Sequence, residues 1–182
     1  MDDNANIINH RIRKTVIKSD RRFTYEEAQE IIETGKGDYA EEVLTLDRLA
    51  KSLRKRRFEH GSVNFDRFEV RFEIDETGHP ISVYFKVSKD ANKLVEEFML
   101  LANKQVATDI GNPGGRKKAK PFVYRIHDNP DPDRMTNFAE IANRFGYKVR
   151  TTGKRTDINN SLNKMLSSVK AKPQEHLMSS LD

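Results

Sequence analysis

The chain has 182 residues, enough for one hydrophobic core with a small appendage. It carries 33 Lys and Arg against 28 Asp and Glu, and the formal net charge of +5 permits a polyanionic partner without requiring one. Because cysteine is absent, disulfide frameworks, thiol nucleophiles and cysteine-based zinc sites are excluded. No apolar run approaches the roughly 18 residues of a membrane-spanning helix, and Met1-Asp2-Asp3 does not begin a signal peptide, so we expect a cytoplasmic protein.

The first elements in chain order are a predicted strand region and a capped helix. Residues 6–20 mix apolar and basic side chains and predict one or two strands. Thr24 and Glu27 then have the spacing of a capping box, and Gly35 is placed to end the helix that follows. Tyr25 falls in the first helical turn, where its hydroxyl either faces a ligand or packs on the preceding strand.

Residues 39–61 predict a longer amphipathic helix with an apolar face formed by Val43, Leu46, Leu49, Ala50 and Leu53. Its carboxyl end carries five cations: Lys51, Arg54, Lys55, Arg56 and Arg57. They indicate a surface that follows phosphates, although cations also stabilise a helix C-terminus. Phe65, on the connector after Gly61, is suited to stacking on a base or to packing in a core.

Residues 68–106 predict a β-hairpin followed by a helix. Apolar side chains alternate with polar ones on both strands, and Gly78 lies in the turn between them. The helix has a broad apolar stripe, so we expect the hairpin to form a core against it. Beside that stripe, Asn92, Glu96 and Asn103 share one side of the helix and either hydrogen-bond ligand hydroxyls or form a solvated face.

The remaining sequence predicts a basic loop at 110–121, whose glycines match no nucleotide-binding fingerprint, and a mainly helical part at 122–182 that opens with a short strand. The carboxylates Asp128, Asp131 and Asp133 fit a helix start, with Pro132 in its first turn, better than a metal site. Asp157 is placed to cap a later helix. The five histidines show no metal-ligand spacing.

Three segments in the same order resemble the catalytic domain of the ribonuclease II / ribonuclease R family. They are RRFTYEEAQEII, then FEH-G-x-x-x-F with the hairpin and KLVEEFMLLAN, then PFVYRIHDNPDPDRM, and the resemblance runs from about Ile7 to the C-terminus. It implies a 3′–5′ exoribonuclease that hydrolyses single-stranded RNA to nucleoside 5′-monophosphates with Mg²⁺.

The resemblance also implies roles for individual residues. Tyr25 in FTYEE and Glu96 in LVEEF match positions that contact sugars near the RNA end, and Phe65 matches the aromatic that stacks on the terminal base. We choose Glu96 over Glu97 because Glu96 lies on the polar stripe. The complete predicted RNA-binding set is Tyr25, Phe65, Glu96, Asn103, Arg54, Arg56 and Arg57.

The family's aspartate cluster precedes the segment matched here, and its arginine-bearing segment follows it. We therefore expect residues 1–182 to be an internal fragment of one catalytic domain, inactive alone, without catalytic residues or metal ligands of its own. Its expected partners are single-stranded RNA, the missing portions of its domain with the flanking RNA-binding barrels, and further copies of itself through exposed apolar faces. The alternatives are a non-catalytic basic module that binds single-stranded RNA and an unrelated structural domain.

The expected fold class is α/β, an incomplete piece of a ribonuclease II-type catalytic domain. It has a small mixed or antiparallel sheet flanked by about five helices.

Overall fold

The computed structural model describes residues 1–63, 69–112, 114, 119–126 and 130–180. In this part of the chain the elements are α1 (Tyr25–Thr34), α2 (Ala40–Glu59), β1 (Glu69–Ile74), β2 (Pro80–Lys86), α3 (Asp90–Val106), a π-helical turn (Ala107–Gly111), α4 (Pro132–Arg144), α5 (Arg155–Val169) and α6 (Glu175–Ser180). The predicted α/β class with a small antiparallel sheet is confirmed. No helix in these ranges is long and apolar enough to cross a membrane.

The chain divides into two compact units. The first unit contains Met1–Lys55 and Ser88–Arg125, and the second contains Arg56–Val87 and Ile126–Asp182. The first therefore holds α1, most of α2 and α3, whereas the second holds the hairpin and α4 to α6. The prediction that the whole chain is a piece of one domain is not tested by this division.

Helix α1 begins and ends as its sequence predicts. The Thr24 hydroxyl accepts a hydrogen bond from the Glu27 N–H at 3.2 Å, and the Glu27 carboxylate accepts from the Thr24 N–H at 2.8 Å. These reciprocal bonds lower the pKa of Glu27, with the Thr24 N–H as the main cause. At the other end Gly35 takes a φ of 70°, a conformation that glycine adopts without strain. The capping box prediction is confirmed.

Two of the strand predictions are wrong. Residues 7–18 form no regular secondary structure, and Val16 and Ile17 are fully or largely exposed. Residues 121–126 are irregular as well. A strand satisfies its backbone only by pairing with another strand, and neither segment has one beside it in the described structure. The N-terminal segment instead contacts the rest of the first unit through a side chain. The His10 ring hydrogen-bonds the Asp109 carboxylate on the π-helical turn.

The hairpin forms as predicted. Val70 lies opposite Phe85 and Phe72 opposite Val83, so these apolar side chains share one face. In the turn, the Asp75 carboxylate accepts from the N–H groups of Thr77 and His79 at 2.8 and 2.9 Å. The Thr77 hydroxyl is the largest cause of the lowered pKa of Asp75.

The apolar side chains of this hairpin face are exposed, so the prediction that they form a core is wrong. Val70, Phe72, Val83 and Phe85 are each about half to two-thirds exposed. The alternation in the sequence correctly assigned the side chains to one face. It could not show whether another element covers that face, because burial depends on residues distant in sequence.

Each unit has its own buried residues. In the first unit they include Ile31 of α1, Val43 and Ala50 of α2, and Ala91 of α3. Leu46, which was predicted to belong to the buried face of α2, is instead 41% exposed. In the second unit the hydrophobic cluster joins α4, α5 and α6, and consists of Ala142, Met165, Val169 and Met178.

Two helix starts in the second unit test the sequence-based caps. The Asp131 carboxylate accepts from the N–H groups of Asp133 and Arg134 at 2.8 and 3.1 Å, so the predicted cap of α4 is confirmed. Helix α5 begins at Arg155 with Lys154 in the cap position. Asp157 is therefore inside the first turn, and its prediction as the cap is wrong.

Candidate functional site

The first unit contains Tyr25, Glu96 and Asn103 from the predicted RNA-binding set. Tyr25 is the first residue of α1 and is 44% exposed. The Glu96 side chain on α3 is 47% exposed, and Asn103 lies exposed near the end of the same helix. These groups offer a phenol, a carboxylate and an amide to solvent, which together can donate to and accept from ligand hydroxyls.

The buried Gln29 joins the two helices that carry these residues. Its Oε1 accepts a hydrogen bond from the Ala91 N–H at 2.9 Å, although the residues are 62 positions apart. Ala91 lies in the first turn of α3, where backbone N–H groups have no partner within the helix. Lys89, in the cap position, has no side-chain acceptor. Gln29 thus supplies the missing cap from α1, one turn after Tyr25.

We expect Gln29→Leu to lower the free energy of unfolding by about 1 kcal/mol, because leucine cannot accept from the Ala91 N–H. Chemical denaturation of the variant and the parent chain measures this loss. Glu30→Leu is the matched control, since Glu30 is an exposed neighbour on α1. Equal effects of the two substitutions would contradict the capping role.

One member of the predicted polar stripe has a structural role. The Asn92 side-chain oxygen accepts from the Lys89 N–H at 3.1 Å and so stabilises the start of α3. Glu96 and Asn103 remain as the exposed members of the stripe.

The choice between Glu96 and Glu97 is informed by their environments. Glu97 is 3% exposed, and its Oε1 lies 3.6 Å from Nη1 of Arg54. Glu96 Oε2 lies 4.0 Å from the same nitrogen, but the Glu96 side chain is far more exposed. Glu96 is thus the accessible carboxylate and Glu97 the buried one. The assignment of Glu96 to RNA stays a prediction.

Arg54 belongs to this ion-pair cluster in addition to the predicted RNA-binding set. Its side chain is 19% exposed and lies beside two carboxylates, which offset its positive charge. Next to it on α2, the buried Asp47 pairs with Lys51 at 2.7 Å, and Lys51 also lies 3.3 Å from Asp90 of α3. The hydrogen bond that the Lys51 ammonium donates to the Asp47 carboxylate is the main cause of the raised pKa of Lys51.

The sequence analysis missed Asp47 and Gln29 as buried polar residues. Asp47 and Lys51 are four residues apart on α2, and this spacing is a sequence signal for the ion pair between them. No local signal identifies Gln29, because its partner Ala91 lies on another helix.

The other predicted cations lie in the second unit. The Arg57 guanidinium lies 5.1 Å from the centre of the Phe58 ring, and the Arg56 carbonyl oxygen accepts from the His60 N–H at 3.1 Å. Phe65 lies outside the described residues, so the structure gives no position for it. The roles of Arg56, Arg57 and Phe65 in RNA binding remain predictions.

The described residues do not fit a magnesium site. No group of three or more His, Asp or Glu side chains converges among them. Asp131 already uses its carboxylate to cap α4. Mg²⁺ prefers several oxygen ligands around one point, and the residues of known position do not offer that arrangement.

Comparison with known proteins gives consistent matches. The model of a family described as the RNB domain matches residues 1–181. Ribonuclease R 1 of Lactococcus lactis is 30% identical over 184 residues, which cover 96% of this chain and 21% of the relative. The human exosome complex exonuclease RRP44 is 35% identical over 154 residues, which cover 83% of this chain and 16% of the relative.

A solved structure shows the same fold. Mycoplasma genitalium RNase R in complex with ribose methylated single-stranded RNA superimposes with a TM-score of 0.70 at 20% identity, over 88% of this chain and 25% of that chain. This chain therefore spans about a quarter or less of the length of these similar proteins.

Proposed function

Because the chain belongs to the RNB domain family, we propose that it forms part of a 3′–5′ exoribonuclease that hydrolyses single-stranded RNA to nucleoside 5′-monophosphates. The relatives named ribonuclease R and exosome exonuclease support this reaction class. Within it, the chain's role is to bind the sugars near the RNA end. The observation that carries this role is the exposure of Glu96 beside the buried, ion-paired Glu97 on α3.

The chemistry of sugar recognition suits the exposed groups of the first unit. The Glu96 carboxylate accepts a hydrogen bond from a ribose hydroxyl, and the Tyr25 hydroxyl donates to or accepts from a neighbouring oxygen. The 2′-hydroxyl distinguishes RNA from DNA, so a carboxylate that binds it gives a preference for RNA. Asn103 adds an amide on the same helix, and the cations of α2 add sequence-independent attraction to phosphates.

Hydrolysis in this proposal uses Mg²⁺ bound by residues other than those described here. The metal would polarise the phosphate and activate water. Since no suitable carboxylate cluster is present in the described ranges, we propose that the chain alone neither holds the ion nor cleaves RNA. Measuring nuclease activity of the isolated chain with added Mg²⁺ tests this, and cleavage would contradict it.

A second candidate is a non-catalytic module that binds single-stranded RNA. The net charge of +5 favours this function, since electrostatic attraction needs no assembled catalytic centre. The exposed apolar face of the hairpin also supports self-association of the chain. Sedimentation over a range of concentrations measures it, and a monomer throughout that range would contradict it.

The decisive experiment is a binding titration of Glu96→Ala with a short single-stranded RNA and the DNA of the same sequence, at two salt concentrations. We expect the parent chain to prefer RNA and the variant to lose RNA affinity by about tenfold, because one charge-assisted hydrogen bond to a hydroxyl is lost. DNA affinity should not fall, since DNA has no 2′-hydroxyl to bind.

Glu140→Ala is the matched control. Glu140 is an exposed residue of α4, and its replacement changes the net charge by the same amount. If Glu140→Ala has the same effect as Glu96→Ala, or if RNA and DNA bind the parent chain equally, the proposed sugar contact is wrong. If RNA binding weakens at higher salt but is unchanged in Glu96→Ala, the result would favour the non-catalytic module.

A further inference from the structure

The second unit contains a cavity of about 910 Å³, and Tyr25, Glu96 and Asn103 are not among the residues that line it. It lies among the end of α2 and helices α4, α5 and α6, and it falls in the size range of small-molecule sites. Of the predicted RNA-binding residues with described positions, only Arg57 lines it. Arg57, Arg134 and Arg155 all line this cavity, which we call the arginine cavity.

The charge of the arginine cavity favours an anion. Arg134 lies in the first turn of α4, and Arg155 is the first residue of α5. Neither guanidinium has an ion-pair partner within the described part of the chain, whereas Arg54 of the first unit is paired. The carboxylate of Asp131 also lines the cavity, but its Oδ1 already accepts from two backbone N–H groups of α4.

The start of α5 adds to this preference. Its cap residue, Lys154, makes no side-chain hydrogen bond to the helix. The N–H groups of Asp157 and Ile158 already donate to the Lys154 carbonyl oxygen, and Asp157 places one carboxylate in this turn. The N–H groups of Arg155 and Thr156, which both line the cavity, come before them, and the helix dipole there favours a negative group. Together with the guanidinium groups, they form a site suited to a phosphate.

Part of the lining of the same cavity is apolar, and we call this part the apolar floor. It includes Phe138 of α4, and Met165 and Leu166 of α5. A free phosphate ion gains nothing from such a surface, whereas a planar base packs on aromatic and aliphatic side chains. A phosphate site beside an apolar floor therefore matches a ligand with one anionic end and one flat aromatic end.

One side of the cavity is held by hydrogen bonds between the segment after α2 and helix α5. The side-chain amides of Asn159 and Asn163 on α5 donate to the carbonyl oxygens of Gly61 and Ser62, each at 2.7 Å. Gly61 has a φ of 90°, and a Cβ there would lie 3.2 Å from the Thr156 side chain. These contacts hold the segment after α2 against α5, and such preorganisation reduces the cost of binding.

We propose that the arginine cavity binds a nucleoside monophosphate, with its phosphate near Arg134 and Arg155 and its base against Phe138. This site is separate from the sugar contacts proposed for the first unit and does not depend on them. It gives the chain a means to bind a free mononucleotide independently of an RNA strand.

Calorimetric titration of the full chain with AMP, adenosine and inorganic phosphate tests the proposal. We expect AMP to bind about tenfold more tightly than either adenosine or phosphate, since only AMP contacts both the arginine side chains and the apolar floor. In an NMR titration, AMP should shift the amide signals of Thr156 and Asn159. Absence of AMP binding, or equal affinity for adenosine, would overturn the proposal.

Two variants locate the site. Arg134→Met combined with Arg155→Met should weaken AMP binding by about tenfold or more, because both exposed cations are removed while the helices keep their length. Arg144→Met is the matched control from the other end of α4, and it should leave AMP binding unchanged. Circular dichroism verifies that the variants fold.

Unchanged AMP affinity in the double variant would overturn the assignment. Binding of an acidic peptide or a 5′-phosphorylated oligonucleotide, but not of AMP, would also overturn it and assign the cavity to that ligand. The Glu96→Ala titration concerns RNA and the first unit, so failure of one proposal is distinguishable from failure of the other.

Discussion

Replacing Arg54 with methionine is expected to lower the free energy of unfolding by about 3 kcal/mol, because it removes the guanidinium that faces the buried carboxylate of Glu97. Glu97 is 3% exposed, and the Arg54 guanidinium lies 3.6 Å from it. A carboxylate in that position cannot recover its hydration when the guanidinium is removed. Urea denaturation without RNA, followed by circular dichroism, measures the loss.

The chain offers a matched control on the same helix. Arg48 of α2 pairs with Asp3 at 3.2 Å, but the Asp3 side chain is 92% exposed. Arg48→Met should therefore cost less than about 1 kcal/mol, as is typical of surface ion pairs. Equal losses at the two positions would contradict the difference in burial on which the expectation depends.

The double variant Arg54→Met with Glu97→Met separates charge from packing. We expect it to regain most of the stability lost in Arg54→Met, because replacing both partners of a buried ion pair by apolar side chains is often neutral. The same double variant is informative for RNA binding. If Arg54→Met loses RNA affinity, and the double variant regains stability but not that affinity, Arg54 contacts RNA as the sequence predicted.

The second large effect is expected for Gly111→Ala, at the end of the π-helical turn. A Cβ at Gly111 would overlap the Tyr124 hydroxyl oxygen and would lie 3.3 Å from the Phe122 Cβ. Gly111 has no positive φ, so space rather than backbone conformation requires glycine here. We expect a loss of about 2 kcal/mol in the free energy of unfolding, as is usual when a close contact must rearrange.

Gly111 and Tyr124 lie where the two ends of the basic loop meet. The Lys120 N–H donates to the Gly111 carbonyl oxygen at 3.0 Å, and the Phe122 and Tyr124 rings meet edge to face with 5.1 Å between their centres. Displacement of Tyr124 by the new methyl group should disturb this closure. Faster amide exchange at Lys120 in Gly111→Ala would show it.

Tyr124→Phe provides the test of mechanism. This change removes the atom nearest to the added Cβ, so Gly111→Ala combined with Tyr124→Phe should be more stable than Gly111→Ala alone. The Cζ of Tyr124 still lies 3.0 Å from the added methyl position, and the rescue should therefore be partial. Additive effects of the two substitutions would show that Tyr124 is not the obstacle.

The caps of α1 and α4 were predictable from sequence because the interactions that form them are local. Thr24 and Glu27 lie three residues apart, and Gly35 meets a backbone requirement at its own position. The Asp131 cap of α4 follows from the same local chemistry. The alternation of the hairpin is likewise set by neighbours, so its pairing was predicted correctly.

The candidate site was predictable only in part. Helical spacing placed Glu96 and Asn103 on one side of α3, and both are exposed there. The spacing also included Asn92, whose side chain instead bonds the Lys89 N–H. It could not show that Glu97 is buried, because the partner of Glu97 is Arg54 on another helix.

Local interactions along the chain specify most of the helices, the caps of α1 and α4, and the two-stranded hairpin, since each depends on residues close together in sequence. Contacts between distant residues set which polar groups are buried and paired, including Gln29 with Ala91 and Glu97 with Arg54. Such contacts also determine that residues 7–18 form no strand and that the hairpin face is exposed. Burial, and the pairing of a strand outside a hairpin, require partners far along the chain, and no local pattern of side chains specifies where those partners lie.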